Sequence, residues 1–378
     1  MIRMITGEVF CTRFAQVHFH WRYMNQLDFE TKLLNWYAEN RRILPWREEP
    51  SPYHVWLSEI MLQQTRVEAV KEYYKRFLSM LPDIPSLANA EEDVYMKLWE
   101  GLGYYSRVRN LHKGAQEVME QYGGELPSSS EALKKISGIG PYTSSAIASI
   151  AFGERIPAID GNLLRVFARL TSYAENIKEK AAADQARKFY LERMSDKDPG
   201  SFNQALMDIG AVICTPSGQP LCGQCPFASV CSAHAEGREL EFPVMPEKKV
   251  RAVDELTVFV IHDGQQIILS KRPAKGLLAG LYEYPNTKGH LTEAEAIAYL
   301  ESIGYPALHI RRLPDTEHIF THRTWKMRGF EIRADEFLDE LRAQDETGKD
   351  GRKYLLADIA EIQEKYSIPT AFRKVWEP

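Results

Sequence analysis

Three groups of residues in this chain have types and spacings that could do chemistry. Glu59 stands in Trp-Leu-Ser-Glu-Ile-Met-Leu-Gln-Gln-Thr, one position from Ile60 and two from Leu57 and Met61. A carboxyl group flanked in this way loses water, so its charged form is disfavoured and its pKa rises. Held protonated near neutrality, it can act as a general acid; on an isolated amphipathic helix the same residue is a surface glutamate. Asp160, in Ile-Asp-Gly-Asn, precedes Leu163, Leu164, Val166, Phe167 and Leu170 at helical spacing, which predicts a helix start at or just after it. It reads as an N-cap or as a second working carboxylate. Cys214, Cys222, Cys225 and Cys231 follow with gaps of seven, two and five residues. In a chain expected to keep its thiols reduced, four cysteines so close together read as a metal site rather than as disulfides. Zinc held by four thiolates is one reading. The spacing does not repeat a Cys-x2-Cys pair, which favours an iron–sulfur cluster.

The elements that must position these groups can be read around them. The first part of residues 131–170 predicts helix, tight turn, helix, with Ile136, Gly138, Ile139, Gly140 and Thr143 forming Ile-x-Gly-Ile-Gly-x-x-Thr. Gly138 and Gly140 permit backbone angles that a side chain forbids. The free N–H groups at the start of the second helix can bind phosphate without reading sequence. Alone, such a turn is only a connector. Upstream, a short amphipathic helix is expected over 27–45, ending at Pro45, then a proline-punctuated loop, then a helix from near Val55 that carries Ser58 through Thr65. Residues 68–130 read as further helices. Within them Trp99, Leu102, Tyr104 and Tyr105 alternate with Arg107, Arg109, His112 and Lys113. That mixture suits base stacking and phosphate contact, or a core helix with one solvated face.

Two or three more helices are expected between Leu170 and Ile213. Residues 236–253, charged and with two prolines, read as a linker. The periodicity then changes. Leu256–His262 and Gln265–Arg272 predict strands joined at Asp263-Gly264, a helix is expected over 293–303, and more strands run through 318–333.

The chain has 378 residues, 44% hydrophobic and 26% charged, with a net charge of −5. That is ordinary for a globular protein of two or three domains. No apolar run reaches membrane-spanning length. Residues 1–26 lack a secretory core and cleavage site, so they read as an N-terminal extension, with Met24 a second possible start. Cytoplasmic residence is expected, nucleoid-associated if the source is bacterial. Cys11 has no assigned role. Neither the first two-thirds nor the last third is basic, so nucleic-acid binding would rest on a local basic face and on backbone amides.

Together the hairpin, the aspartate and the cysteines resemble the helix-hairpin-helix DNA glycosylases of the endonuclease III superfamily, and within it the adenine-excising MutY-type branch. The resemblance spans residues 27 to about 375 and is more specific in the first two-thirds. It implies a mainly α N-terminal part, 27–235: a six-helix barrel with the helix-hairpin-helix over about 48–150, and an iron–sulfur helical domain from 27–47 plus 151–235. After the 236–253 linker comes an α+β Nudix-like domain, 254–378, for 8-oxoguanine recognition. Its Nudix box is broken, with Ala296, Ile297 and Ala298 where magnesium-holding acids are wanted, so no pyrophosphohydrolase activity is expected.

By the same resemblance Glu59 protonates adenine at N7, Asp160 supports the sugar cation, and Asn162 helps orient the pair. Tyr142 takes the place of the lysine that makes relatives bifunctional, so a monofunctional enzyme is expected, with Tyr142 beside Asp160. Lys134 and Lys135 do not align with that nucleophile. Arg42, Trp46, Arg47 and Gln204 are expected to line the adenine pocket. Gln64, Thr65, Leu102 and Tyr104 resemble a wedge in the duplex, Gly138 and Gly140 contact the backbone, and Phe320-Thr321-His322 resembles a Phe-Ser-His loop that senses the 8-oxo base. The four cysteines would hold one 4Fe–4S cluster, with one residue more than usual in the first gap. The expected partner is double-stranded DNA holding 8-oxoG:A or G:A, bound by a monomer, with no membrane. The rivals are a bifunctional endonuclease III-like or thymine-mismatch glycosylase, a Nudix-type nucleotide hydrolase, and a non-catalytic iron–sulfur DNA-binding protein.

Overall fold

A computed structural model of the chain describes residues 26–247, 250–273, 275–303, 305, 309–334 and 353–377. Cys11 and Met24 lie outside the described residues. The chain forms two compact units: residues up to 89 together with 110–247, and residues 90–109 together with the chain from 248 onward. The sequence-based boundaries put 90–109 with the helical part. Hydrogen bonds explain the difference: Arg109 donates to the Ala279 carbonyl at 2.6 Å, and Glu100 accepts from the Ile368 N–H at 3.0 Å and from Arg373 at 2.6 Å.

The first unit is helical. Its opening helix spans Gln26–Asn40, so Gln26, expected in the extension, is part of it, and the helix stops short of Pro45. Arg42 leaves the helical path to donate its backbone N–H to Asp208 at 3.1 Å. Leu44 is extended, as the residue before a proline must be. The helix Pro52–Leu62 starts on Ser51, whose hydroxyl accepts from the His54 N–H, with Pro52 in the first turn. Val55 through Met61 are all buried. A helix apolar on every side is a core helix, and Glu59 goes inside with it. The helix ends at Leu62 rather than continuing through Thr65, because Gln64 takes a left-handed φ of 60°. Phe29, Leu33, Leu163, Phe167, Phe202 and Phe227 meet in the core around the later helices.

The hairpin consists of a single turn of helix, Ser130–Leu133, a loop, and the helix Pro141–Phe152. Its two glycines are there for different reasons. Gly138 has φ +81°, and a Cβ on it would lie 2.9 Å from the Cβ of Asn110. Gly140 has φ −85° and ψ 179°, open to any residue, and a Cβ there meets nothing within 4 Å. Gly138→Ala is therefore expected to destabilise the fold by about 1–3 kcal/mol from backbone strain alone, whereas Gly140→Ala shifts stability by no more than about 0.5 kcal/mol. Thermal melts of the two variants check the contrast.

In the second unit, eight described strands make one sheet: β1 Ala252–His262, β2 Gln266–Lys271, β3 Tyr282–Glu283, β4 Asn286–Lys288, β5 His309–Arg312, β6 Thr316–Ile319, β7 Arg323–Arg333 and β8 Tyr354–Asp358. The order is β3-β2-β1-β7-β5, and β1 and β7 run parallel over their full length. The β1–β2 turn falls at Asp263-Gly264, as its sequence predicts; the Asp263 carboxylate accepts from the Gln265 and Gln266 N–H groups. The helix Glu293–Ile303 buries Ala296, Leu300 and Ile303 against Phe259 and Phe330. Ala296 is thus a core residue, which suits the missing acid. The expected linker is partly structured: Phe242 is buried, its carbonyl accepts from Arg169 at 3.0 Å, and β1 already begins at Ala252.

Candidate active site

In the first unit one cavity of about 320 Å³ is lined by Glu59, Tyr142, Asp160 and Asn162, by Arg42, Trp46, Arg47 and Gln204, and by Gln64 and Thr65. Three elements supply the reactive groups. Glu59 comes from the core helix Pro52–Leu62 and Tyr142 from the first turn of the hairpin's second helix. Asp160 caps the helix Gly161–Thr171, and Asn162 lies in that helix's first turn.

Glu59 is only 6% exposed. Burial pushes its carboxyl up to about 7, aided by the charge of Asp160 and opposed by the Tyr142 hydrogen bond and by Arg47. The Tyr142 hydroxyl donates to Glu59 Oε2. Glu59 Oε1 has no protein partner among the described residues, so it is the oxygen free to carry a proton to a bound group. The hydroxyl of Tyr142, which also lines the cavity beside Asp160, is thus committed to the glutamate. No lysine lines the cavity among the described residues, and Lys134 is paired with Glu131.

Asp160 is the N-cap of its helix and also lines the cavity. Its Oδ1 accepts from the Leu163 N–H at 2.8 Å, which is the N-cap, and its Oδ2 accepts from Asn162 Nδ2 at 2.7 Å. Burial raises its pKa, and those two hydrogen bonds together with the positive charge of Arg165 restrain the rise. Asn162 is itself held. Arg165 Nη2 donates to Asn162 Oδ1 at 2.8 Å and to the Gly210 carbonyl at 2.7 Å, and Arg165 Nε donates to the Cys214 carbonyl at 2.7 Å. A Cβ on Gly210 would sit 2.5 Å from the Cβ of Asn162, so glycine is needed there.

Arg42 and Arg47 reach the cavity as a pair clamped by Asp208. Arg47 Nη1 and Nη2 donate to its two carboxylate oxygens at 2.8 and 3.0 Å, and Arg42 Nε donates at 2.7 Å. Sequence reasoning passed over Asp208. The signal was there: an acid inside the apolar run Ala-Leu-Met-Asp-Ile-Gly-Ala-Val-Ile, four residues after Gln204 and so on the same helix face. Trp46 is buried edge-on to Tyr74, with ring centroids 5.5 Å apart.

The remaining expected contacts are in the second unit. Tyr104 is 45% exposed with a left-handed φ of 48°, while Trp99, Leu102, Tyr105 and Arg107 are buried. Of the aromatic residues in that stretch Tyr104 is thus the exposed one; of its basic residues Arg107 is buried, Arg109 and His112 are half-buried and Lys113 is exposed. Its hydroxyl is hydrogen-bonded to the Thr321 hydroxyl. Phe320, Thr321 and His322 form the turn between β6 and β7, and the Phe320 N–H donates to the Arg323 carbonyl at 2.8 Å.

The four cysteines line one hollow with Val166, Leu170, Ile209, Ile213 and Ala228, and none is in a disulfide. Burial pushes the Cys225 and Cys231 thiols up to about 12, so thiolates there need a cationic centre. Arg169 Nη1 donates to Cys214 Sγ at 3.3 Å. His234 Nδ1 and Glu239 Oε1, 2.6 Å apart, stand beside Cys222. Soft sulfur donors in an apolar hollow fit zinc or an iron–sulfur cluster.

A family described as HhH-GPD superfamily base excision DNA repair protein matches residues 57–191, and a NUDIX domain matches 257–378. The chain is 40% identical over 294 residues to the adenine DNA glycosylase of Arabidopsis thaliana, covering 67% of this chain and 46% of that one. To the adenine DNA glycosylase of Buchnera aphidicola subsp. Schizaphis graminum it is 34% identical over 300 residues, covering 78% and 85%. It thus spans about half the length of the plant relative and most of the bacterial one. A solved thermostable thymine-DNA glycosylase superposes with a TM-score of 0.50 at 28% identity, over 56% of this chain and 97% of that one.

Proposed function

We propose that this chain, which belongs to the adenine DNA glycosylase family, is a monofunctional glycosylase that removes adenine mispaired with 8-oxoguanine, and with guanine, from double-stranded DNA. The observation that carries the reading is a single cavity holding two carboxyl groups in different surroundings. Burial pushes Glu59 up to about 7, whereas the rise that burial gives Asp160 is restrained by its hydrogen bonds and by Arg165.

Adenine must leave the base stack to reach such a cavity. Glu59 gives its proton to N7 of the flipped base. The C1′–N9 bond breaks with its electron pair going to the base, and positive charge develops on the sugar. Asp160 stabilises that charge until water adds at C1′ and releases a proton, the same division of labour that two carboxyl groups make in glycoside hydrolysis. Tyr142 holds Glu59 by Oε2, which aims Oε1. A tyrosine at this position forms no Schiff base, so the enzyme leaves the strand uncut.

One 4Fe–4S cluster held by Cys214, Cys222, Cys225 and Cys231 would fix the loop they span; the excision chemistry needs nothing further from it. The Cys214 carbonyl, tied through Arg165 and Asn162 to Asp160, joins that loop to the reacting carboxylate. The protein would bind DNA as a monomer. Gly140, whose missing side chain answers no contact within the protein, would then make room for a phosphate at the helix start.

The 8-oxo base would be sensed by Phe320-Thr321-His322. The double variant Thr321→Ala/His322→Ala is expected to lower the preference for 8-oxoG:A over G:A by about 2- to 10-fold, the value of a lost hydrogen bond, with the rate on G:A largely kept. Unchanged discrimination refutes it.

The decisive experiment measures base release from duplexes holding one 8-oxoG:A, G:A, 8-oxoG:C or thymine-glycol:A pair, with and without alkali. Alkali-dependent cutting at adenine only, fastest opposite 8-oxoguanine, is expected. Cutting at thymine glycol without alkali would place the chain with bifunctional enzymes. No cutting would favour a binding protein.

A further inference from the structure

Asp208 is fully buried at the end of the helix Pro199–Asp208, behind two arginines that line the cavity, and it meets more donors than either carboxylate that lines the cavity, Glu59 or Asp160. It accepts the Arg42 N–H at 3.1 Å, Arg42 Nε at 2.7 Å and the fork of Arg47 at 2.8 and 3.0 Å, and Arg42 Nη2 is ion-paired with it at 2.6 Å. Arg47 Nη1 also donates to the Arg42 carbonyl at 3.2 Å, and its guanidinium lies 5.7 Å from the centre of the Tyr37 ring. A buried carboxylate needs paired charge, and here two guanidinium groups supply it. The dependence is mutual: a bidentate fork fixes the plane of Arg47, leaving it little freedom to turn elsewhere.

Elsewhere, for Arg47, means Glu59. Arg47 lines the same cavity as Glu59, together with Tyr142, Asp160 and Arg42. Of the two cations, Arg47 is the one whose charge acts on Glu59. A guanidinium released toward Glu59 would form an ion pair with it and strip its proton.

We propose that Asp208 is a positioning residue for the reaction: by clamping Arg47 and Arg42 to the cavity wall it keeps Arg47 from pairing with Glu59, and so leaves Glu59 its proton. This rests on the excision chemistry proposed above. The clamp also makes the two arginines a fixed donor surface for a base rather than two mobile cations. Asp208 itself does not touch the base.

The test is single-turnover adenine release from an 8-oxoG:A duplex between about pH 5 and pH 9, for the parent, Asp208→Asn and Arg47→Gln. An asparagine turns an N–H₂ toward one guanidinium and leaves Arg47 uncompensated. Its alkaline limb is expected to move about one unit toward acid, so the deficit relative to the parent is largest at high pH and shrinks several-fold near pH 5.5. Arg47→Gln removes the cation and is expected to move the limb the other way. It carries the test alone if Asp208→Asn does not fold. A rate lowered equally at every pH in Asp208→Asn, or a limb unmoved in Arg47→Gln, overturns the proposal. If the parent releases no adenine from any duplex, the excision reading fails instead. The clamp is then judged by carboxyl-carbon NMR titration of Glu59 in ¹³C-glutamate-labelled protein, assigned through Glu59→Gln. Opposite shifts in the two variants support it, and an unmoved titration overturns it.

Discussion

Glu59→Gln is expected to lower the single-turnover rate of adenine release by about 10²- to 10⁴-fold, the range for loss of a positioned general acid, with DNA affinity nearly unchanged. The substitution is nearly isosteric, and Tyr142 can still donate to the amide oxygen, so the cavity keeps its shape. What disappears is the carboxyl proton that burial favours on Glu59. The pH profile gives a second readout. The acid is active when protonated, and its carboxyl is pushed up to about 7. The parent rate should therefore be full below neutrality and fall about tenfold per unit above it. On the acidic side the rate falls as Asp160, which must be charged, takes up a proton at a pKa raised by burial. In Glu59→Gln the alkaline limb is expected to vanish. A variant that keeps both the parent rate and the parent limb would remove Glu59 from the reaction.

Asp160→Asn and Asp160→Ala separate the two tasks of one side chain. Asparagine caps a helix about as well as aspartate, and its Oδ1 can still accept from the Leu163 N–H, as Asp160 does at 2.8 Å. The asparagine variant is expected to keep the melting temperature of the parent and lose about 10²- to 10³-fold in rate, the value of one preorganised electrostatic group. The alanine variant should lose a similar rate and also about 0.5–2 kcal/mol of stability as the cap goes. Thermal melts and single-turnover rates on the same preparations check both. An asparagine variant that turns over at the parent rate would reduce Asp160 to a cap.

Two glycines that look alike in Ile-x-Gly-Ile-Gly mean different things. Gly138 is required by a left-handed backbone and by Asn110; Gly140 is required by no contact among the described residues. Spacing marked the motif, but only the packed chain shows which glycine is structural.

By itself the sequence determined whatever rests on short-range order. Asp160 caps its helix because a β-region residue with a short acceptor precedes a run of helical period. Ser51-Pro52 starts the core helix for the same kind of reason. The Asp263-Gly264 turn and the helix over 293–303 follow from local propensity, and an acid set among Leu57, Ile60 and Met61 was bound to lose water once that helix was buried. The tertiary structure decided what joins residues far apart in the chain. Tyr142 and Glu59 are 83 positions apart, and Arg42 and Asp208 are 166 apart. No periodicity reports such distances, because a helix relates a residue only to those three or four positions away. The same limit explains the boundaries that moved. The first helix ends at Asn40 because Asp208 draws off Arg42, and residues 90–109 join the second unit because Ala279, Ile368 and Arg373 hold them there. The side chains that could do chemistry were legible; which atom of each is occupied, and which is left free to react, is a product of packing.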